Sequence, residues 1–299
     1  MSTATAVQRP GVRRRAVSAL HARSWAQLLL LLAPPAGWFG VVYLGSLALL
    51  LVTAFWTFDQ VTGTVVRTFT LDNVARLISQ PTYRIVAFRT LQFAVIVTLV
   101  DMALAFPIAW YMARVASPRT RAALLIMCLL PLWASYLVRV YAWRVILSPG
   151  GPLDWTLEQL GLGPAGLYPS DVGMGIVFAY IWLPYMIVPL FAGFERIPSS
   201  LLEASADLGG HGWTTFRRVV LPLVLPALAA GSIFTFSLTL GDYITPGLVS
   251  NNQFIGNIVF ELQGVAGNLP LAAAFALVPV AIMGIYLLVA RRLGAFEAL

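Results

Sequence analysis

The sequence contains no lysine; all nineteen of its basic residues are arginine. That absence excludes whole classes of chemistry. A P-loop needs a lysine to reach the β- and γ-phosphates of a nucleotide, so the chain carries no Walker A site of its own. A lysine Schiff base is excluded on the same ground. The single cysteine, Cys128, allows neither an internal disulfide nor a thiolate metal cluster. The two histidines, His21 and His211, are far apart in the chain and make a poor metal site, so no metal is expected. Charge is scarce too: 10% of residues are charged, against about a quarter in ordinary soluble domains.

What fills the chain instead is apolar. Hydrophobic residues make up 59% of the 299, and the mean hydropathy is +0.83. A soluble fold of this length leaves too much of its area wet to hide such a composition, so the solvent it fits is lipid. Crossing the hydrocarbon takes roughly 20 apolar residues in a helix, and the charges punctuate six such runs. The first has its core at about 36–57, after Pro34 and Pro35. The second lies between Arg89 and Arg114, and the third starts after Arg121 and continues past Tyr136. The fourth fills the gap from Asp171 to Glu195, the fifth runs from Arg218 to Asp242, and the sixth ends at Arg291 and Arg292.

Arginine placement orients these spans. Arg9, Arg13, Arg14, Arg15 and Arg23 lie in the N-terminal tail, Arg114, Arg119 and Arg121 in the second-to-third loop, Arg196, Arg217 and Arg218 in the fourth-to-fifth loop, and Arg291 and Arg292 at the end. The opposite side holds Arg67, Arg76, Arg84, Arg89, Arg139 and Arg144. The positive-inside rule then predicts an all-α membrane protein with both termini in the cytoplasm. The expected organisation is a tail over 1–25, a six-span domain over 26–293 and a short tail over 294–299. The formal net charge of +7 is thus a topology signal, and no nucleic-acid partner is expected. The first apolar run continues to Trp56, too far for a cleaved signal peptide. Residues 58–88 and 148–171 form outward loops, the former with a short helix capped by Asp72.

One polar stretch interrupts the apolar pattern on the inner side: "EASADLGGHGWTTFRRVVLPLVLP", residues 203–226. Ser199 or Ser200 caps a short helix, with Glu203 completing a capping box if Ser200 is the cap. Gly209 and Gly210 end it, because glycine accepts the left-handed conformation. A second short helix from about Trp213 leads into the fifth span. A helix, a glycine turn and a helix on the inner face of a membrane domain suit insertion into a groove of another protein.

Glu203-Ala204-Ser205, then Gly209, then Leu221-Pro222 resembles the "EAA…G…LP" loop of the membrane subunits of ATP-binding-cassette importers. "LLPLWASYLVRVYAWRVIL", "FERIPSSLLEASADLGG" and "LGDYITPGLV" are similar to the spermidine/putrescine-type permeases of that family, and the likeness runs from about residue 28 to 293. Ser205 stands where the second alanine is usual. The resemblance implies a type I importer permease fold in the bacterial inner membrane. It also implies a coupling loop over about 195–218, with Glu203, Ala204, Ser205, Asp207, Gly209, His211, Leu221 and Pro222 serving contact with a cytoplasmic ATPase dimer. That dimer binds the ATP, so this chain needs no cofactor and is no enzyme. A second homologous permease, as a heterodimer, and an extracytoplasmic solute-binding protein are the other implied partners, beside membrane lipid.

Residues for the solute path are fewer. Asp101 sits mid-span, where a carboxylate costs about 3 kcal/mol on insertion scales; it attracts a cationic solute or is a buried structural carboxyl. Asp242 and Tyr243, between the helix breakers Gly241 and Pro246, line the mouth of the path or form a helix-ending turn. Tyr180, Trp182 and Tyr185 lie deeper than the span ends, and Tyr180 and Trp182 offer faces for an ammonium along the path. Trp133, Tyr136 and Tyr185 read as interface anchors, and Arg139 and Arg144 as side chains reaching to the outer interface. The solute expected from the resemblance is a polyamine. The alternatives are another small solute or, from a different class, a proton-coupled secondary transporter using Asp101 and Asp242.

Overall fold

The computed structural model describes residues 24–292; the arginines and His21 of the N-terminal tail, and the tail over 294–299, lie outside them. The chain divides into two compact units, Met1–Thr53 and Ala54–Leu299. In the first, α1 (Ser24–Trp38) runs straight over Pro34 and Pro35 into a wider π-helical turn, Phe39–Leu44, and then α2 (Gly45–Thr53). The expected span core at about 36–57 is therefore too late; the span-length segment is Leu28–Thr53. Proline is tolerated inside membrane helices, and the wider turn begins four residues after Pro35.

The second unit opens with a hairpin that the sequence reading did not foresee. Strands β1 (Thr57–Asp59) and β2 (Thr64–Val66) pair antiparallel, Phe58 opposite Val65. Its loop is closed by Asp59, whose carboxylate accepts from the Val61 amide at 2.9 Å and the Thr62 hydroxyl at 2.8 Å. The Val61 amide, followed by the Thr62 hydroxyl, holds that carboxyl below its ordinary pKa. Helix α3 (Asp72–Ser79) follows, but Asp72 is its first helical residue and Leu71 occupies the cap. The Asp72 amide instead bonds the Thr70 hydroxyl at 3.1 Å.

Three long helices form the core. They are α4 (Pro81–Arg114), α8 (Asp171–Glu195) and α11 (Leu221–Gly241), and each packs on the other two. Helix α4 begins eight residues before Arg89, because Pro81 is well suited to a first helical turn. Lipid gives helices no hydrophobic reason to associate, so contact depends on small residues that admit close approach. Gly231 of α11 is one: a Cβ there would stand 2.7 Å from the Met186 sulfur and 3.2 Å from its Cα. Gly193 of α8 is another: a Cβ there would stand 2.4 Å from the Ala227 Cβ.

The expected third span is two helices rather than one. Helix α5 (Pro118–Leu129) passes into a 3₁₀ turn, Leu130–Trp133, and α6 (Tyr136–Leu147) departs after an extended Ala134. Together with α7 (Pro152–Gln159) the second arm is bent 97° from the first. Pro131 withdraws an amide from the turn and Ala134 leaves helical geometry, which breaks the apolar run. Among the described residues five helices are long and apolar enough to cross a membrane, and six if the bent pair is one span. After α11 come two short helices, α12 (Ile244–Val249) and α13 (Ile255–Gly264), and then α14 (Leu269–Arg292), which ends at the expected arginines.

Replacing Gly231 with alanine drives a methyl into the Met186 backbone. The expected cost is about 1–3 kcal/mol from overpacking, read as a lower melting temperature of the detergent-solubilised protein; an unchanged melting curve would show that α8 and α11 have room to part.

Candidate coupling loop and translocation site

The loop leaves α8 under tight control. Two carbonyls at the end of that helix, Phe194 and Ile197, accept from the Arg114 guanidinium, the first at 2.6 Å. Arg121 donates to the carbonyls of Met112 at 3.1 Å and Ala113 at 3.2 Å, and pairs with Glu195 at 2.8 Å. Both arginines thus satisfy carbonyls that a helix end leaves orphaned and place positive charge at the negative end of a helix dipole.

Beyond this clamp, α9 (Ser199–Asp207) starts from Pro198, not from a serine cap, and no capping box with Glu203 forms. Proline fixes φ in the range a cap requires, and Ser199 is already helical. Gly209 then adopts φ +77°, and the Gly210 amide bonds back to the Ser205 carbonyl at 2.8 Å. Gly210 must also be small, since a Cβ would come within 2.6 Å of both Ser205 oxygens. The chain reverses into α10 (Gly212–Thr215) and a π-helical turn, Phe216–Val220, that enters α11. Ser205 and Thr215 join the two arms through their hydroxyls at 2.8 Å. The serine at this position therefore supplies a bridge that an alanine lacks.

Glu203, Ala204, Asp207, Gly209, His211 and Pro222 are exposed, while Ser205 and Leu221 are partly buried. Leu208 and Trp213, on either side of the glycines, are 89% and 71% exposed. Trp213 stacks on Phe216, which meets Phe106 edge-on; Phe106 meets Phe194, and Phe194 meets Trp110. Centroid separations along this chain are 5.0–5.4 Å. The aromatic series ties the loop to α4 and α8, and the sequence reading missed it. Its one local signal is Trp213 and Phe216 at a helical spacing of three.

The residues proposed for the path are not all together. Trp182 is buried and stacks on Tyr136 with centroids 5.7 Å apart. The Tyr136 hydroxyl donates to the Asp242 carboxylate and lies 2.6 Å from the Thr245 hydroxyl. Asp242 also accepts from the Ile244 amide at 2.8 Å. One cluster thus gathers Tyr136, Trp182 and Asp242 from α6, α8 and the break after α11. Tyr136 is no interface anchor. Nor does Arg139 reach outward: it is only 8% exposed, and its Cζ lies 5.8 Å from the centre of the Tyr136 ring. Arg144 bonds the Tyr168 hydroxyl at 2.9 Å.

Tyr180 points elsewhere. Two residues along a helix is over half a turn, and Tyr180 lies with Trp143, Phe93 and Val100 along an apolar groove of about 700 Å³. Tyr243 stacks on Phe260, half-exposed. Asp101 is fully buried on α4, one turn from Val97 and one from Ala105. Its carboxyl has no hydrogen-bond partner among the described residues. No group of three or more potential metal-ligating side chains occurs among those residues either.

Residues 84–295 match the family described as the binding-protein-dependent transport system inner membrane component. The chain belongs to this family. The permease is 50% identical over 286 residues to the inner membrane ABC transporter permease protein YdcU of Escherichia coli (strain K12), with 91% of each chain covered. It is 34% identical over 263 residues to the spermidine/putrescine transport system permease protein PotB of the same organism, covering 86% of this chain and 94% of that one. A bacterial ABC transporter involved in the import of the acidic polysaccharide alginate shares the fold, with a TM-score of 0.71 at 18% identity over 93% of this chain and 99% of that one. The permease is accordingly an inner-membrane subunit of an ABC importer, a transporter component rather than an enzyme, of a family that works with a solute-binding protein.

Replacing Gly210 with valine is expected to splay the arms of the loop, making the detergent-solubilised permease protease-sensitive between 205 and 215. Ser205→Ala, which loses one hydrogen bond worth about 1 kcal/mol, should stay protected under the same conditions. Equal resistance of Gly210→Val and wild type, by mass spectrometry of the fragments, would refute the turn's role.

Proposed function

We propose that the permease forms the inner-membrane path for a small amine-bearing solute, a polyamine first among them, and that residues 195–218 grip a separate cytoplasmic ATPase dimer. The observation that carries the coupling role is the braced glycine turn, with Leu208 and Trp213 bare on either side of it. Apolar knobs on a short rigid helix pair suit a groove on a partner. On this reading the loop, both tails and the arginine-rich ends face the cytoplasm, and ATP stays on the partner. A second homologous permease completes the path opposite this one, as a heterodimer, and a solute-binding protein delivers from outside.

The solute class rests on likeness to a permease named for spermidine and putrescine and on Asp101, a buried carboxyl with no partner of its own. Closure of the ATPase would pull α9, and through the Trp213–Phe216–Phe106–Phe194 contacts it would move α4 and α8 together. ATP drives such a change only by binding one conformation better than the other.

Glu203→Ala and Gly209→Asp should leave the complex able to hydrolyse ATP while lowering uptake at least about tenfold, the loss of roughly 1.4 kcal/mol of coupling. Reconstituted complexes assayed for both activities decide this. Normal uptake by both variants would remove the coupling assignment.

A further inference from the structure

At the base of the loop the two helices that anchor it leave a gap. A cleft of about 370 Å³ lies between the last turns of α8 and the first turns of α11. Pro189 and Ala192 line it on one side, and Leu223, Pro226 and Ala230 on the other. These positions recur at helical spacing, so each wall is one continuous stripe. Both walls belong to helices long and apolar enough to cross a membrane. The lining contains one charged residue, Arg196, immediately after α8.

Arg196 has no counter-charge. It is exposed, and its guanidinium makes no hydrogen bond or ion pair among the described residues. The carboxylate beside it in sequence, Glu195, is taken by Arg121 at 2.8 Å. The carbonyls of Phe194 and Ile197 are taken by Arg114. Arg217 and Arg218, in the turn that leads into α11, form no ion pair among the described residues either. The end of the cleft is therefore positive and its walls are apolar. An apolar cleft between membrane helices suits a hydrocarbon chain, and a free guanidinium at the span end suits a phosphate, which it meets with two N–H donors at once. Basic pockets between membrane helices hold anionic headgroups in this way.

We propose that this cleft binds one anionic phospholipid, with its phosphate on Arg196 and an acyl chain between α8 and α11. A lipid seated there bridges both anchors of the coupling loop. A zwitterionic lipid binds more weakly, because its own ammonium opposes Arg196. The leaflet, the cytoplasmic one, follows from the placement of the loop proposed above. Binding does not depend on that placement, so the two can fail separately.

The test uses the complete complex, stripped of lipid in detergent and titrated with dioleoyl phosphatidylglycerol or dioleoyl phosphatidylcholine, the bound states being resolved by native mass spectrometry. Wild type should hold its tightest phosphatidylglycerol about tenfold more strongly than phosphatidylcholine. Arg196→Gln should remove that preference, about tenfold in phosphatidylglycerol affinity, the worth of a charged hydrogen bond, with phosphatidylcholine held within about twofold. Ala192→Leu, which narrows the cleft and keeps the charge, should weaken both lipids. Glycerol phosphate, a headgroup without chains, should displace neither. Equal affinities in wild type, a preference that survives Arg196→Gln, wild-type binding by Ala192→Leu or displacement by glycerol phosphate would each overturn the proposal. So would binding to the isolated permease but not to the complex, since a partner subunit would then fill the cleft.

Discussion

Lipid offers no hydrogen bonds, and this constraint shapes every part of the permease. A backbone group freed inside the hydrocarbon must be satisfied by the protein itself. The ends of the long helices show how. Arg114 and Arg121 turn back onto the carbonyls of Phe194, Ile197, Met112 and Ala113 instead of extending into solvent. Buried threonines do the same inside the spans, Thr90 bonding the Val86 carbonyl at 2.8 Å and Thr98 that of Ala94 at 2.7 Å. With polar groups so rationed, helix association falls to shape, and the contacts at Gly231 and Gly193 set how closely α8 and α11 can pack.

The loop that follows α8 is braced at several points. Here the base is fixed by arginine on carbonyl, the tip by a left-handed glycine, and the two arms by Ser205 on Thr215. The aromatic series from Trp213 to Trp110 then runs from an exposed surface into the packed trio of helices. Rings in edge-on contact resist compression, because cores are close-packed and shift between discrete arrangements.

Much of this was legible in the sequence because the membrane makes hydrophobic length informative. The spans from Asp171 to Glu195 and up to Arg292 were read to within a residue or so. The turn after α9 was legible from Gly209 and Gly210, and Gly209 is left-handed there. What was misread shares a cause. Pro34, Pro35 and Pro131 look alike in a sequence, yet the first two lie within the continuous helix α1 and the third lies in the turn that breaks the third apolar run, depending on neighbours the sequence does not show. The hairpin at 57–66 carries its signal only in a run of threonines and valines around Gly63. Arg139 was assigned to the outer interface because arginine near a span end usually snorkels. Instead it is buried, on a helix that packs against α12 and α8.

Asp101 and Arg139 carry the same constraint into the middle of the protein. Both are buried, and both carboxyl oxygens of Asp101 and the Nε and Nη1 of Arg139 lack hydrogen-bond partners among the described residues. Burying such groups is costly unless something meets them. That cost has to be met by the packing of the helices that hold them, α4 for Asp101 and α6 for Arg139.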